Sequence, residues 1–438
     1  MGSVTATSTG SPTTTGGGDG NDDFATAEKL TVGAPLEAYL EPWSDQDFYV
    51  FQGKKGQALS FTIKAEETPF DPYAIDTLLT LYDASQQQIA ENNTPTPRTS
   101  NDAQLFTLLP ADGAYTLRVA ECWSVAKDSA ACAKPKVKLS TAYTLRVVSL
   151  DSVTKGVVAD TEKGNDFASA TPVTYADAGG VARLPAVVFG RFESVNDVDV
   201  FSFEVPADLV EVPPGKRLLM NEWLLREGPF GDGSTAQAGK VYITTQADPT
   251  TRLAEIDGAN YGGNGARMWP PVDVAGKYYL FVERPLATAG ANDFYVDLHV
   301  AGRSNPLEQK EAENDAAATP EALTPAENGS FYVEGDLGSA AADVDHFAFD
   351  LAGQAGKKVS AVCVSARAGS GLGGFQITLL NATTLAPLAT VIEIATTDAV
   401  TELVPVPDGE AKMILELRAA TQDPVIVGAF YRCGIHFQ

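Results

Sequence analysis

Asp343-Val344-Asp345-His346-Phe347-Ala348-Phe349 decides how this chain is read, because the pattern occurs three times. It stands also at Asp45-Gln46-Asp47-Phe48-Tyr49-Val50-Phe51 and at Asp197-Val198-Asp199-Val200-Phe201-Ser202-Phe203. Side chains alternate across a strand with a period of two, so Tyr49 with Phe51, Phe201 with Phe203, and Phe347 with Phe349 are each expected on one core-facing side. The two aspartates of each pair share a face by the same count.

Roughly 25 to 35 residues upstream of each acidic strand lies an Asn-Asp opening, and the whole recurs at about 145 residues, too long for a solenoid unit and therefore a duplicated domain. The openings are Gly20-Asn21-Asp22-Asp23-Phe24, Gly164-Asn165-Asp166-Phe167 and Glu313-Asn314-Asp315-Ala316. Downstream, a turn leads into an alternating strand: Asp112-Gly113 before Tyr115, Leu117 and Val119; Ala275-Gly276 before Tyr278, Leu280 and Val282; Asp408-Gly409 before Met413, Leu415 and Leu417. Helical periodicity is confined to short stretches just after each Asn-Asp. Many short strands with regular turn signals predict an all-β chain of three tandem antiparallel, jelly-roll-like β-sandwiches. The expected boundaries are a Ser/Thr/Gly tether over 1–18, then sandwiches over 19–150, 162–302 and 309–438, with short joints that suggest a semi-rigid rod.

Across 438 residues, 31 Lys and Arg stand against 57 Asp and Glu, a net charge of −26. Such a surface repels phosphate backbones and anionic membranes, so nucleic acid is excluded as a natural partner. No apolar run reaches the ~18–20 residues of a membrane helix. The tether has the composition that separates a lost lipid anchor or export signal from a folded surface domain. Four cysteines fall as two pairs, Cys122 with Cys132 in the first sandwich and Cys363 with Cys433 in the third. Loop closure gives such bridges roughly 3 and 4 kcal/mol, and both require an oxidising compartment.

The Asn-Asp opening, the Asp-x-Asp-x-(Phe/Tyr)-x-Phe strand and the Gly-x-Tyr-x-Leu-x-Val strand, in that order, resemble the bacterial pre-peptidase C-terminal domain, which is related to the collagen-binding domains of clostridial collagenases. The resemblance implies a non-catalytic extracellular module of jelly-roll type. In its calcium-binding members the acidic opening and the aspartates of the aromatic strand surround the ion. Carried over, the ligands are Glu311, Glu313, Asn314, Asp315, Asp343 and Asp345 in the third copy, the fullest match. The second copy offers Glu162, Asn165, Asp166, Asp197 and Asp199, with Gly164 in place of a glutamate. The first offers Asp19, Asn21, Asp22, Asp23, Asp45 and Asp47, with an extra aspartate that leaves two registers open. Calcium takes six to eight hard oxygens, which separated carboxylate segments can supply. Against this stands a simpler reading, in which Asn-Asp caps a turn and Asp-x-Asp is a solvated strand start.

Signatures of metalloproteases, nucleophile elbows and P-loops are absent from the sequence, and His299, His346 and His436 stand singly on strands, as structural histidines do. No enzyme is expected; a carboxylate-dependent hydrolase is the least favoured alternative. The Gly/Asn-rich loop carrying Tyr261, Arg267 and Trp269 has the composition of a ligand-contact surface, or of a long hairpin loop whose Trp269 covers the sandwich edge. Trp43 and Trp123 are expected to cover edges. The expectation is thus a calcium-stabilised module outside the cell or on its surface that binds an extracellular polymer or partner protein as an adhesin, or a rigid spacer or assembly subunit of a secreted complex.

Overall fold

The structure is a computed structural model. It describes residues 20–66, 74–93, 101–125, 132, 140–150, 156–160, 165–175, 186–192, 194, 196–210, 215–224, 239–257, 267–284, 294–303, 306–309, 313–337, 343–372, 374–393, 398–420 and 429–438. The tether and the candidate ligands Asp19, Glu162, Glu311 and Tyr261 lie outside these. Two compact units divide the chain, Met1–Ser149 and Leu150–Gln438.

In the first unit, one sheet runs Glu28–Lys29, Gln46–Gly53, Gly113–Glu121, Thr77–Tyr82, Gln88–Asn92; the other runs Leu36–Tyr39, Ala142–Ser149, Ala58–Lys64, Gln104–Leu108. The second unit repeats this strand order twice, with an added parallel edge strand, Val157–Ala159, in the second sandwich. Its acidic strands are Val198–Val205 and Val344–Asp350, each paired with a neighbouring strand, Gly276–Glu283 or Lys412–Ala419, as Gln46–Gly53 pairs with Gly113–Glu121. The strands that close the opposite sheets are Ala142–Ser149, Phe294–Arg303 and Phe430–Phe437. The predicted alternation holds: Tyr49 and Phe51, Phe201 and Phe203, Phe347 and Phe349 lie in the three cores. Burial of each such ring stabilises by roughly 1.5–3 kcal/mol, and this is what sets which face of the acidic strand points inward.

The stretches after each Asn-Asp are single turns, not helices, because a short strand starts within a few residues. Glu28–Lys29, Thr171–Pro172 and Glu321–Ala322 each pair in parallel with the acidic strand. Both disulfides join the expected partners, at Cα separations of 5.4 Å for Cys122–Cys132 and 4.2 Å for Cys363–Cys433. The first packs with Leu78 and Trp123; the second links directly opposed residues of adjacent strands. Trp43, expected to cover an edge, is 40% exposed.

Within the second unit the two sandwiches share a core. Val364, Ala368 and Phe430 of the third pack with Met268 and Trp269 of the second. Backbone bonds cross the junction, from Glu255 N to Gly369 O at 2.9 Å and from Trp269 N to Ala368 O at 3.4 Å. Gly369 has φ +85°, and a Cβ there would lie 3.0 Å from Met268 Cγ, so only glycine suits both the turn and the contact. Arg267 and Trp269 therefore do not form the expected ligand-contact surface. Trp269 is 7% exposed, with the guanidinium groups of Arg267 and Arg432 at 4.9 and 5.4 Å from its ring. Asp398 binds Arg267 at 2.9 Å and also Arg367. A tryptophan in reach of an apolar partner surface of the same chain is buried by it, and that outcome is invisible in loop composition.

Candidate metal centre

Because the acidic pairs share parity with the core aromatics, the second aspartate of each pair points into the end of its sandwich. Asp47, Asp199 and Asp345 are 0%, 1% and 0% exposed. A carboxylate at such depth requires donors, and each copy supplies a tyrosine from the closing strand. Tyr143 donates to Asp47, which also receives Tyr49 at 3.3 Å. Tyr295 donates to Asp199 at 2.8 Å. Tyr431 lies between Asp345 and Glu308, 2.9 Å from Glu308 Oε2. Burial and the adjoining carboxylate hold Tyr295 and Tyr431 well above the ordinary phenol range. Each phenol crosses a small residue, Ala38, Gly190 or Gly335, on the strand paired with it. These tyrosines were not among the expected site residues; the signal that could have found them is a tyrosine as second residue of every closing strand.

The opening segments differ by one residue, and that difference separates the copies. Asn21 and Asn314 are both buried, and their carbonyls accept the amides of Phe48 at 2.8 Å and His346 at 3.1 Å. They are therefore equivalent. Asp22 then matches Asp315, and Asp23 matches Ala316. Asp23 caps its turn through the amides of Ala25 and Thr26, and Asp166 caps in the same way through Ala168 and Ser169. These bonds hold both carboxyls below the usual range. Capping thus accounts for Asp23 and Asp166, in line with the simpler reading, and Asn165 is the residue at the position of Asp315. Its amide lies 3.5 Å from Asp197 Oδ1.

In the third copy the carboxylate oxygens of Asp315, Asp343 and Asp345 come within 4.8 Å of one another, the one such cluster among the described residues. They descend from exposed Asp315 through half-buried Asp343 to buried Asp345. Asn314 is fully buried; its Nδ2 donates to Glu308, and its Oδ1 has no hydrogen-bond partner. The phenol of Tyr431 has one proton for two carboxylates, Glu308 and Asp345. His346 is turned to Asn314 O at 3.0 Å and Glu416 at 3.2 Å. Three carboxylates whose oxygens lie within 4.8 Å of one another form an all-oxygen group of the kind a hard divalent cation takes, and the neighbouring residue of the opening segment, Asn314, has a buried amide oxygen with no hydrogen-bond partner. Glu313 is exposed, and Glu308, which was not foreseen, shares the Tyr431 phenol with Asp345.

Position 121 carries a further carboxyl at the same end of the first sandwich. Glu121 is 0% exposed, accepts the Ser124 amide at 2.7 Å, and is pushed up to about 7 by burial. Its folded value exceeds its unfolded value, so the stability it allows is complete below about pH 4.5 and is lost as pH rises through about 7. Glu121→Gln is expected to stabilise the first unit by about 1–3 kcal/mol at pH 8 and to change little at pH 4.5. Urea titrations at the two pH values check this; equal effects at both would refute it.

Of the lone histidines, His299 is buried with Tyr175 Oη 2.8 Å from its Nε2 and is lowered to about 4 by burial. His436 meets Ser330 at 3.1 Å.

No protein-family model matches this chain, and no curated protein matches it. Among solved structures, the pre-peptidase C-terminal domain of a Bacillus anthracis collagenase is 16% identical, covering 28% of this chain and 93% of its own, with a TM-score of 0.20. A periplasmic inhibitor of g-type lysozyme from Aeromonas hydrophila is 13% identical over 34% and 97%, also at 0.20. The tandem CBM51 modules of a family 98 glycoside hydrolase from Streptococcus pneumoniae are 9% identical over 54% and 80%, at 0.17. Scores of this size carry no functional argument.

Proposed function

We propose that the chain is an exported, non-catalytic module whose third sandwich is closed by a calcium ion, and that it serves outside the cell or on its surface as a binding or structural element for a polymer or partner protein. The observation that carries this reading is the convergence of Asp315 from the opening segment with Asp343 and Asp345 from the acidic strand. Asn314 adds its buried amide oxygen to the donor set. When bound, the ion supplies positive charge that two chain segments need in order to stay together. The residues themselves do the rest: Asn314 holds the opening segment to His346, and Tyr431 ties Asp345 to the opposite sheet. Two disulfides support an oxidising compartment. The shared core of the second and third sandwiches favours a structural role over independent beads.

Calcium at a hundred times its dissociation constant should stabilise the folded chain by ~2.7 kcal/mol by mass action. A thermal melt of the full chain is expected to shift upward in calcium and back in chelator, and Asp315→Ala with Asp343→Ala should abolish the shift. An unchanged melt in saturating calcium would defeat the reading. Binding to glycan and fibrous-protein arrays separates the adhesive role from the spacer.

A further inference from the structure

The three copies place different residues opposite the first aspartate of the acidic pair. One step beyond the paired residues of the neighbouring strand, Asp45 faces Glu121, Asp197 faces Arg284, and Asp343 faces Ala419. We propose that this position decides how each sandwich neutralises its acidic end, and that Arg284 is a resident cation that frees the second sandwich from any need for metal. Arg284 is 8% exposed, and its amide donates to Asp197 O at 2.9 Å. A guanidinium at that depth must be paired, and the acidic strand beside it carries Asp197 and the fully buried Asp199. Arginine as a residue type carries a positive charge throughout the working pH range. Asn165, at the position of Asp315, brings an amide toward Asp197 instead of another carboxylate. Negative charge is thus reduced and positive charge added in one copy.

The other two copies show the alternatives. Ala419 is half-buried and has no charge to offer, and beside it stands the three-carboxylate cluster. Glu121 turns its carboxylate to the Ser124 amide, and Asp47 is served by two phenols. Position 419 leaves a cation to be recruited from solution; position 284 supplies one covalently.

The Arg284 assignment stands apart from the calcium reading; only the reverse substitution rests on that reading. In chelator, Arg284→Met in the full chain is expected to lower the melting midpoint by several degrees at pH 7.5. Arg284→Lys should restore most of the loss at pH 7.5. No loss, or a loss that Arg284→Lys leaves unrestored, would show that Arg284 only packs and would overturn the assignment. Ala419→Arg is expected to remove the calcium-induced shift while near-ultraviolet circular dichroism is retained; a full shift in that variant would also overturn it. A wild-type chain indifferent to calcium would end the calcium reading and leave the Arg284 comparison intact.

Discussion

Trp269→Ala is expected to destabilise the Leu150–Gln438 unit by about 3–5 kcal/mol, the cost of truncating a large buried aromatic and leaving a cavity. Trp269 sits where Met268, Val364, Ala368 and Phe430 make one core out of two sandwiches. It also carries two guanidinium groups, Arg267 and Arg432, that are otherwise held by Asp398 and Glu334. Removing the ring therefore removes apolar contact and the surface on which those groups stack. The expected signature in calorimetry of the full chain is a transition for the second unit that broadens or splits, since each sandwich keeps its own core while the shared layer is lost. A midpoint and width unchanged from wild type would show that the junction contributes little. Arg267→Ala should cost less, because its ion pair with Asp398 is about one-third exposed and partly screened.

Replacing Cys363 and Cys433 together by alanine is expected to cost about 2–5 kcal/mol, the range for a native bridge. The two residues are 70 apart in sequence and 0% and 1% exposed. Their bridge ties the strand beside the shared core to the strand that presents Tyr431, so its loss should also weaken the hold on Asp345. Urea unfolding of the full chain with and without reductant measures this. Coincident curves in wild type would mean that the bridge is not formed or not stabilising. In the double variant, reductant should act only through Cys122–Cys132.

Much of the fold was legible because its signals are local. A strand alternates with period two whatever surrounds it, so Tyr49 and Phe51, Phe201 and Phe203, and Phe347 and Phe349 could be assigned to cores directly. The same parity carries Asp47, Asp199 and Asp345 inward, although from sequence the acids were placed only on a shared face. Of the candidate ligands, Asp315, Asp343 and Asp345 meet, and Asp23 and Asp166 cap turns; Glu308, which was not among them, shares the Tyr431 phenol with Asp345. Of the two readings open for the loop before Pro270, the burial of Trp269 fits the one in which it covers the sandwich edge; composition cannot tell an exposed hot spot from a junction within the chain, since both favour aromatic residues and arginine.

What the amino-acid order determined alone was the threefold duplication, the all-β character, the pairing of cysteines within domains and the strands that carry acids, since all of these follow from spacing along one segment. Which acids come together, and whether a phenol, an arginine or a solvent ion compensates them, was decided only in three dimensions. Those answers depend on register between strands distant in the chain, where a shift of one residue exchanges a turn cap for a ligand.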